Sequence, residues 1–470
     1  MALQFSINGR IIDVEAVPPT TTLLDYLREN QGLTGTKEGC AEGDCGACTI
    51  VLAETIKGYT RYNAVNSCLL MLPQISGKHV ITVEGLGSGA KKALLDPVQK
   101  AMVKTDGTQC GFCTPGIIMA LYAFRQSDKS STDPIIHDNL AGNLCRCTGY
   151  RPIVEAAREV GVIPPDREIF DQLSATSEYK VGHQTFYAPI NVEELINVYH
   201  TNPNAKLLCG GTDIGLLVSK NRQKFKKVIY TGHVNELLQI TETKTNITFG
   251  AAVTYSNLLP FIEKLFPALA TLFTRIGSVQ IRNVATIGGN IATASPIGDT
   301  LPCLIALNAT IILCSHVGER KLPAEEFFLD YRKTALNDGE FIKAIQIPKL
   351  GDAQEFRTYK ISKRYDQDIS AIIGAYWIEL DDKIVSRARI AYGGMASTPK
   401  RGVKCEEALI GKPWNARSLS ACSAMVAFDF QPISDLRASR NYRLKVAANL
   451  FDRLYQDITD PSQLTEVVRL

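Results

Sequence analysis

The chain has 470 residues, 45% of them hydrophobic and 21% charged, with 51 Lys and Arg against 48 Asp and Glu. Length alone suggests about three domains, and the near balance of charge leaves no global field to attract nucleic acid or a membrane surface. No run approaches the ~18 apolar residues of a membrane span, and the opening MALQFSINGRIIDVEA carries neither the apolar stretch nor the cleavage site of a secretory leader, so a cytoplasmic protein is expected.

In chain order, FSINGRIIDV alternates, turns at Asn-Gly and resumes, the pattern of a β-hairpin. TTTLLDYLREN follows as a helix with threonine capping its start. KEGCAEGDCGACT then places Cys40, Cys45 and Cys48 in C-x4-C-x2-C spacing, with Cys68 further on in NAVNSCLLMLP. Thiolates so spaced are the plant-type ferredoxin pattern for a 2Fe–2S cluster. Gly39, Gly43 and Gly46 are expected at positive φ, letting loop N–H groups turn toward inorganic sulfur. Structural zinc is the competing reading, but it usually takes two close cysteine pairs, and here three ligands crowd one loop.

TQCGFCTPGIIMALYAF contributes Cys110 and Cys113, and LAGNLCRCTGYRPIVEAA contributes Cys145 and Cys147. Each pair precedes a helix, with Pro115 and Pro152 where a first turn tolerates proline. Ile117, Ile118, Leu121 and Phe124 recur at helical spacing. Two helix N-termini aimed at a common point would suit an anionic thiolate–iron centre. Alone, C-x2-C with C-x-C also fits zinc; behind a ferredoxin-like module it reads as a second redox centre, the next step of an electron relay. Disulfides are not expected in a reducing compartment. Cys209, Cys303, Cys314, Cys405 and Cys422 are scattered singly and read as small buried hydrophobes.

Residues 163–184 are polar around a Pro-Pro pair and read as a linker. An α/β stretch follows over 185–348. NAKLLCGGTDIGLLVSK gives an apolar strand, a Gly210-Gly211 turn and Thr212 as a helix cap. NVATIGGNIATASPIGDT gives Gly288-Gly289, then Thr293, Ser295, Gly298 and Asp299. Such glycine turns let backbone N–H groups reach a pyrophosphate. G-x-G-x-x-G occurs nowhere, so a Rossmann fold is not supported; behind two electron carriers, a flavin is the cofactor expected. From 349 to 470, FRTYKISKRYDQDISAIIGAYWIEL, KIVSRARIAYGGMA and YRLKVAANLFDRLYQDI suggest a small sheet packed with helices. The histidines (His79, His137, His183, His200, His233 and His316) are dispersed and form no local metal motif.

KEGCAEGDCGACT, QCGFCTPG and GNLCRCTGYRPI resemble the two iron–sulfur modules of the molybdenum hydroxylases, and LLCGGTDIG, ATIGGNIATASPIGD, FFLDYRKT and YGGMA resemble their flavin module. The likeness runs over essentially the whole chain and is strongest to the bacterial xanthine-oxidising branch, in which one subunit carries both clusters and FAD. It implies a multidomain α+β architecture: a plant-type 2Fe–2S ferredoxin-like (β-grasp) domain over 1–85, an all-α 2Fe–2S helical bundle over 86–162, the linker, a non-Rossmann α/β FAD-binding domain over 185–348, and a C-terminal α+β subdomain over 349–470.

The resemblance also implies roles. Cys40, Cys45, Cys48 and Cys68 would hold the cluster nearer the flavin, and Cys110, Cys113, Cys145 and Cys147 the one nearer the pterin, with Gln109 touching the pterin across a subunit boundary. Lys206, Leu207, Leu208, Cys209, Gly210, Gly211, Thr212, Asp213 and Ile214, with Thr286, Gly288, Gly289 and Asn290, would line the FAD diphosphate and ribityl chain. Asp299, Ile342 and Lys360 would add further FAD contacts, and Tyr331, the loop 364–370 and Gly393-Gly394 match the region where nicotinamide docks. Ile276 stands where the family often has phenylalanine over the flavin ring. Asp44 stands where single-chain relatives have glycine, a negative charge expected to lower the first cluster's potential.

With the chain ending at Leu470, molybdopterin is expected in a separate catalytic subunit, in a complex with two copies of each chain. Electrons from hydroxylation of hypoxanthine or xanthine at that partner would pass through both clusters to FAD and on to NAD. A partner acting on aldehydes or heteroaromatic acids is the alternative within the family, and a zinc-bound scaffold the non-enzymatic one.

Overall fold

The computed structural model describes residues 2–56, 58–87, 95–127, 129–162, 170, 173–462 and 465. The chain divides into two compact units, Met1–Asn235 with Gly277–Ala285, and Glu236–Ile276 with Thr286–Leu470.

The first unit opens with a sheet in the order Arg10–Val14, Leu3–Ile7, His79–Ile81, Thr49–Ile56, Tyr59–Asn66. Its first hairpin turns at Asn8 (φ 51°) and Gly9 (φ 79°), both left-handed, the mirror-image turn whose twist matches paired strands. Parallel pairing of Leu3–Ile7 with His79–Ile81 gives the β-grasp arrangement. Thr22 caps the expected helix by accepting from Asp25 N at 3.1 Å. Only Leu23–Asp25 is α-helical, however, before the backbone widens into a π turn over Tyr26–Asn30.

Helices Pro97–Lys104, Thr114–Arg125, Asp133–Leu140 and Arg151–Val160 make the second module, each with proline in its first turn. Val98, Met102, Ile117, Leu121, Phe124, Ile136 and Ile153 close its core. Burial stabilises by about 1.5–3 kcal/mol for each large side chain.

A mixed sheet completes the unit in the order Glu178–Val181, Gln184–Tyr187, Lys227–Tyr230, Lys206–Leu208. Tyr179, Phe186, Leu208, Val228 and Tyr230 share one core with Leu3, Phe5, Leu27 and Val80. This common core places residues up to Asn235 in the first unit, so the compact division falls inside the expected flavin stretch of 185–348 and not at its start. Strand Glu178–Val181 falls within the stretch read as a linker; residues 163–169, 171 and 172 of that stretch lie outside the described residues. A four-residue strand with one buried ring, Tyr179, is too short to show a period in the sequence.

The second unit contains an antiparallel sheet, Ile240–Glu242, Asn246–Gly250, Phe341–Pro348, Thr310–Ser315, Gly318–Pro323, with helices Tyr255–Leu265, Pro267–Thr274, Ile287–Thr293 and Thr300–Ala306. Its C-terminal part is an antiparallel sheet, Gln354–Ile361, Ile372–Asp381, Ile384–Gly393, Lys400–Arg401. Helices Val403–Leu409, Ala416–Ser423 and Arg440–Thr459 bury Leu409, Leu419, Leu450 and Phe451 against Tyr376, Ile390 and Tyr392 of that sheet, the small sheet with helices that was expected. Among the described residues no helix is long and apolar enough to cross a membrane.

Candidate functional site

Strand pairing brings the first thiols together. Thr49 pairs with Asn66, so the residue before one strand meets the turn after the other, and Cys48 Sγ lies 3.3 Å from Cys68 Sγ. Cys40 and Cys45 form a second pair across the loop, with Cys40 N donating to Cys45 Sγ and Cys45 N to Cys40 Sγ, both at 3.3 Å. Glu42 N adds a third donor to sulfur at 3.4 Å. Gly43 (φ 82°) and Gly46 (φ 67°) take the expected left-handed backbone, but Gly39 does not. Gly39 is needed for room: a Cβ there would lie 2.8 Å from Cys45 Sγ. Cys40 is drawn down to about 5 by its bond with the Cys45 thiol, which is pushed up by the same contact. Asp44 is exposed on this loop, and its backbone N–H also helps to lower Cys40.

The second set is paired likewise, Cys110 with Cys147 and Cys113 with Cys145. Burial and the Cys145 contact push Cys113 up to about 12. Against the cost of burial, the Thr148 hydroxyl at 3.2 Å holds Cys145 low. The N–H groups facing these sulfurs come from Phe112, Cys147 and Thr148, in the turns ahead of the helices. Cys110 and Cys147 are exposed, as is Gln109.

Among the described residues no three His, Cys, Asp or Glu side chains converge as ligands for a single ion. Each set is instead two pairs of thiols, one sulfur of each pair pushed toward the anion. A dinuclear iron–sulfur centre needs two thiolates per iron, whereas zinc gathers four about one point. The donor sets therefore fit the cluster better than zinc.

Of the flavin residues expected in the first unit, Lys206–Leu208 is a strand and Cys209 to Asp213 the turn after it. A Cβ on Gly210 would lie 2.0 Å from Val284 O, and Gly211 has φ +81°. Asp213, not Thr212, occupies the cap position of helix Ile214–Ser219, without a side-chain cap bond. Gly215 carries no local signal, yet a Cβ there would sit 2.4 Å from Leu69 O. Leu69 follows Cys68, so the glycine turn packs directly behind a thiol of the first set.

In the second unit Thr286 caps helix Ile287–Thr293 by accepting from Gly289 N at 3.2 Å. Gly288 is pressed on Ala251, whereas a Cβ on exposed Gly289 would touch only Thr286 Oγ1, leaving that face open for a ligand. Thr300 Oγ1 donates to Asn290 Oδ1 at 2.5 Å. Asp299 collects two donors, Lys360 Nζ at 2.7 Å and Ser370 Oγ at 2.6 Å, and Lys360 Nζ also donates to Arg275 O at 2.9 Å, beside Ile276. Gly394 N donates to Pro296 O at 2.7 Å, which brings Gly393-Gly394 to the same loop as Asp299. Ile342 is buried on strand Phe341–Pro348. Tyr331 is 63% exposed at the turn of a separate hairpin, Phe328–Asp330 with Lys333–Thr334.

Two residues of this network were not foreseen. Arg275 donates to Lys360 O, Ser362 Oγ and Tyr365 O, and its guanidinium lies 4.6 Å from the Tyr365 ring centre. In the sequence Ser370 is only the end of a loop. Neither carries a local signal, because their partners are distant in sequence.

Models of known families match the chain in four consecutive stretches. Residues 5–71 match a 2Fe–2S iron–sulfur cluster binding domain and 82–158 a [2Fe–2S] binding domain. Residues 178–350 match the FAD binding domain in molybdopterin dehydrogenase, and 357–458 the CO dehydrogenase flavoprotein C-terminal domain. Xanthine dehydrogenase 1 of Arabidopsis thaliana is 34% identical over 87% of this chain and 36% of the plant protein. Xanthine dehydrogenase of Emericella nidulans is 31% identical over 97% of this chain and 38% of its own length. The chain thus spans less than two fifths of these relatives. Carbon monoxide dehydrogenase from Hydrogenophaga pseudoflava superposes with a TM-score of 0.54 at 27% identity, covering 57% of this chain and 94% of that one. Quinoline 2-oxidoreductase from Pseudomonas putida 86 shares the fold, with a TM-score of 0.55 at 23% identity over 60% of this chain and 99% of its own.

Proposed function

We propose that this chain, which has the iron–sulfur and flavin domain architecture of the molybdenum hydroxylases, is the electron-transfer part of a xanthine dehydrogenase. In this reading a molybdopterin-bearing partner hydroxylates hypoxanthine or xanthine, and the electrons released reach NAD through this chain. The observation that carries it is the pair of thiol sets, each split into two sulfur pairs, ahead of a flavin module. The names of the relatives support the purine substrate. The structural neighbours have other names, so the substrate is the part of the reading most open to test.

When bound, 2Fe–2S clusters pass single electrons and FAD exchanges two, as hydride, with a nicotinamide; the protein supplies position and electrostatics. Cys40, Cys45, Cys48 and Cys68 would hold one cluster, and Cys110, Cys113, Cys145 and Cys147 the other. Inward N–H groups on Cys40, Glu42 and Cys45 stabilise thiolate charge. The turn at Gly210-Gly211 would present N–H groups to FAD phosphate, whereas those opening the helix after Thr286 are already bonded, Ile287 N to Val253 O, Gly288 N to Ala251 O and Gly289 N to Thr286 Oγ1. Asp299 orients Lys360 as a fixed cation. Ile276 offers an aliphatic face in place of aromatic stacking. Loop 364–370 would admit the nicotinamide.

The test is spectroscopic and then kinetic. The purified chain should show two distinct 2Fe–2S signals by EPR and one flavin per chain. Combined with a molybdopterin subunit it should couple xanthine oxidation to NAD reduction. A colourless zinc-bound chain would end the reading, and coupling only to an aldehyde or heteroaromatic acid would reassign the substrate.

A further inference from the structure

Segment Gly277–Ala285 lies far along the chain from both cysteine modules, yet it belongs to their compact unit. Its side chains are fixed to each. Fully buried Gln280 donates from Nε2 to Asn143 Oδ1 at 2.7 Å. Asn143, buried as well, donates from Nδ2 to Gly46 O at 3.0 Å and to Thr49 Oγ1 at 3.2 Å. Arg282 reaches both carboxylate oxygens of Asp138 at 2.7 Å, and Asn283 Nδ2 donates to Ala64 O at 2.8 Å.

Where the modules meet, glycines let backbone and the Gln280 amide pack closely. A Cβ on Gly116 would sit 2.2 Å from Gly46 O, one on Gly46 2.1 Å from Gly142 O, and one on Gly142 2.0 Å from Gln280 Oε1. Leu144 N donates to Cys45 O at 2.9 Å, so a thiol residue of the first set is bonded to the neighbour of Cys145 in the second. Gln280 Oε1 itself is sealed from solvent with no hydrogen-bond partner. An orphaned buried acceptor is unfavourable, and an apolar side chain of the same length would fill the space without that cost. What the amide adds is the bond that holds Asn143, and Asn143 holds the loop carrying Cys45 and Cys48.

Resting on the function proposed above, we infer that Gln280 is a positioning residue for electron transfer between the two iron–sulfur centres: through Asn143 it sets how the Gly46 and Leu144 loops meet, and so the separation and orientation of the two thiol sets. The full chain tests this with Gln280→Leu, which loses the donor, and Gln280→Glu, which keeps the shape but turns an acceptor on Asn143 Oδ1. Asn283→Ala, which cuts a bond to strand Tyr59–Asn66 away from this junction, is the control.

Both Gln280 variants should keep full iron content and both EPR signals. The magnetic interaction between the reduced centres should change, and freeze-quench reduction of one centre from the other should slow severalfold, since outer-sphere electron transfer falls off exponentially with the separation of the centres. Unaltered interaction and rate in both variants would overturn the inference. So would an equal change in Asn283→Ala, which would mean general loosening, or loss of one set's iron in both Gln280 variants, which would assign Gln280 to assembly. A wild-type chain lacking the two signals would instead defeat the functional reading and the inference with it.

Discussion

His233 draws its chemistry from its setting. Burial, and then the charge of Lys78, push it down to about 4, with Glu54 opposing. Its ring stands edge-on to Tyr230 at 4.9 Å, and Nδ1 has no hydrogen-bond partner. An unfolded histidine takes its proton near pH ~6.5. Between there and about 4 the unfolded chain binds a proton that the folded chain refuses. The stability is therefore present above pH ~6.5 and is lost as pH falls toward the folded value, a change of about 2 kcal/mol for a side chain not wholly removed from water. His233→Phe keeps the ring contact and should flatten the fall in denaturation midpoint over that window. An unchanged slope would mean the imidazole is solvated. For the thiols, Cys68→Ser should abolish the first cluster's EPR signal and halve the iron while the second persists, because oxygen is a poor substitute for a soft thiolate. The bond from Leu144 N to Cys45 O makes this a demanding test of how independent the modules are. The ligand spacing was legible because metal chemistry dictates it locally. Gly39 was read for the wrong reason, since the space beside Cys45 Sγ is set by folding and not by its own neighbours.

The loop over 364–370 shows the same limit at the level of an element. KRYDQD in the sequence is simply charged. In the structure Asp368 Oδ2 accepts from Arg364 N at 2.8 Å, Arg364 Nη2 donates to Gln367 O at 3.1 Å, and Gln367 adopts φ 48°. Ser370 at the loop's end and Lys360 in the strand before it are both held on one carboxylate, Asp299. Arg275 braces the loop's start by stacking on Tyr365. Asp299 and Arg275 lie far from the loop in sequence, so the bracing that sets its shape could not be read there. Arg364→Glu keeps the N–H that Asp368 accepts, loses the bond to Gln367 O, and should repel an anionic dinucleotide. Asp368→Ala should free the N–H of Arg364 and loosen the turn. Each should lower kcat/KM for NAD by about tenfold, a loss of about 1.4 kcal/mol, while dye-linked xanthine oxidation by the complex and flavin content hold. Equal falls with NAD and with dye would indicate flavin loss, and unchanged NAD kinetics would make the loop ordinary surface.

At the scale of the whole molecule, the cysteine spacings mark the two iron–sulfur modules in the sequence, whereas paired glycines are weak evidence by themselves and the flavin module is legible only through the resemblance. Less visible was that cores cross those modules. Tyr179 of the expected linker and Phe186 of the flavin stretch are buried with Phe5 and Val80 of the first sheet, and periodicity does not say which apolar faces will meet. The matched models run from residue 5 to residue 458 as two iron–sulfur modules followed by a flavin module in two parts. If flavin and nicotinamide are handled by these residues alone, the 470-residue chain should oxidise NADH and reduce an artificial dye with no partner present. Xanthine should give no turnover until a molybdopterin subunit is added, because hydroxylation at a purine carbon needs that centre. Removing FAD should abolish the NADH–dye reaction. Cys68→Ser should spare it wherever the dye accepts from the flavin and slow it wherever the dye accepts from a cluster, so a panel of dyes maps the order of carriers. Xanthine turnover by the chain alone, in a preparation free of molybdenum, would defeat the assignment. A chain carrying flavin but inert toward NADH would leave the electron-transfer role and remove NAD from it.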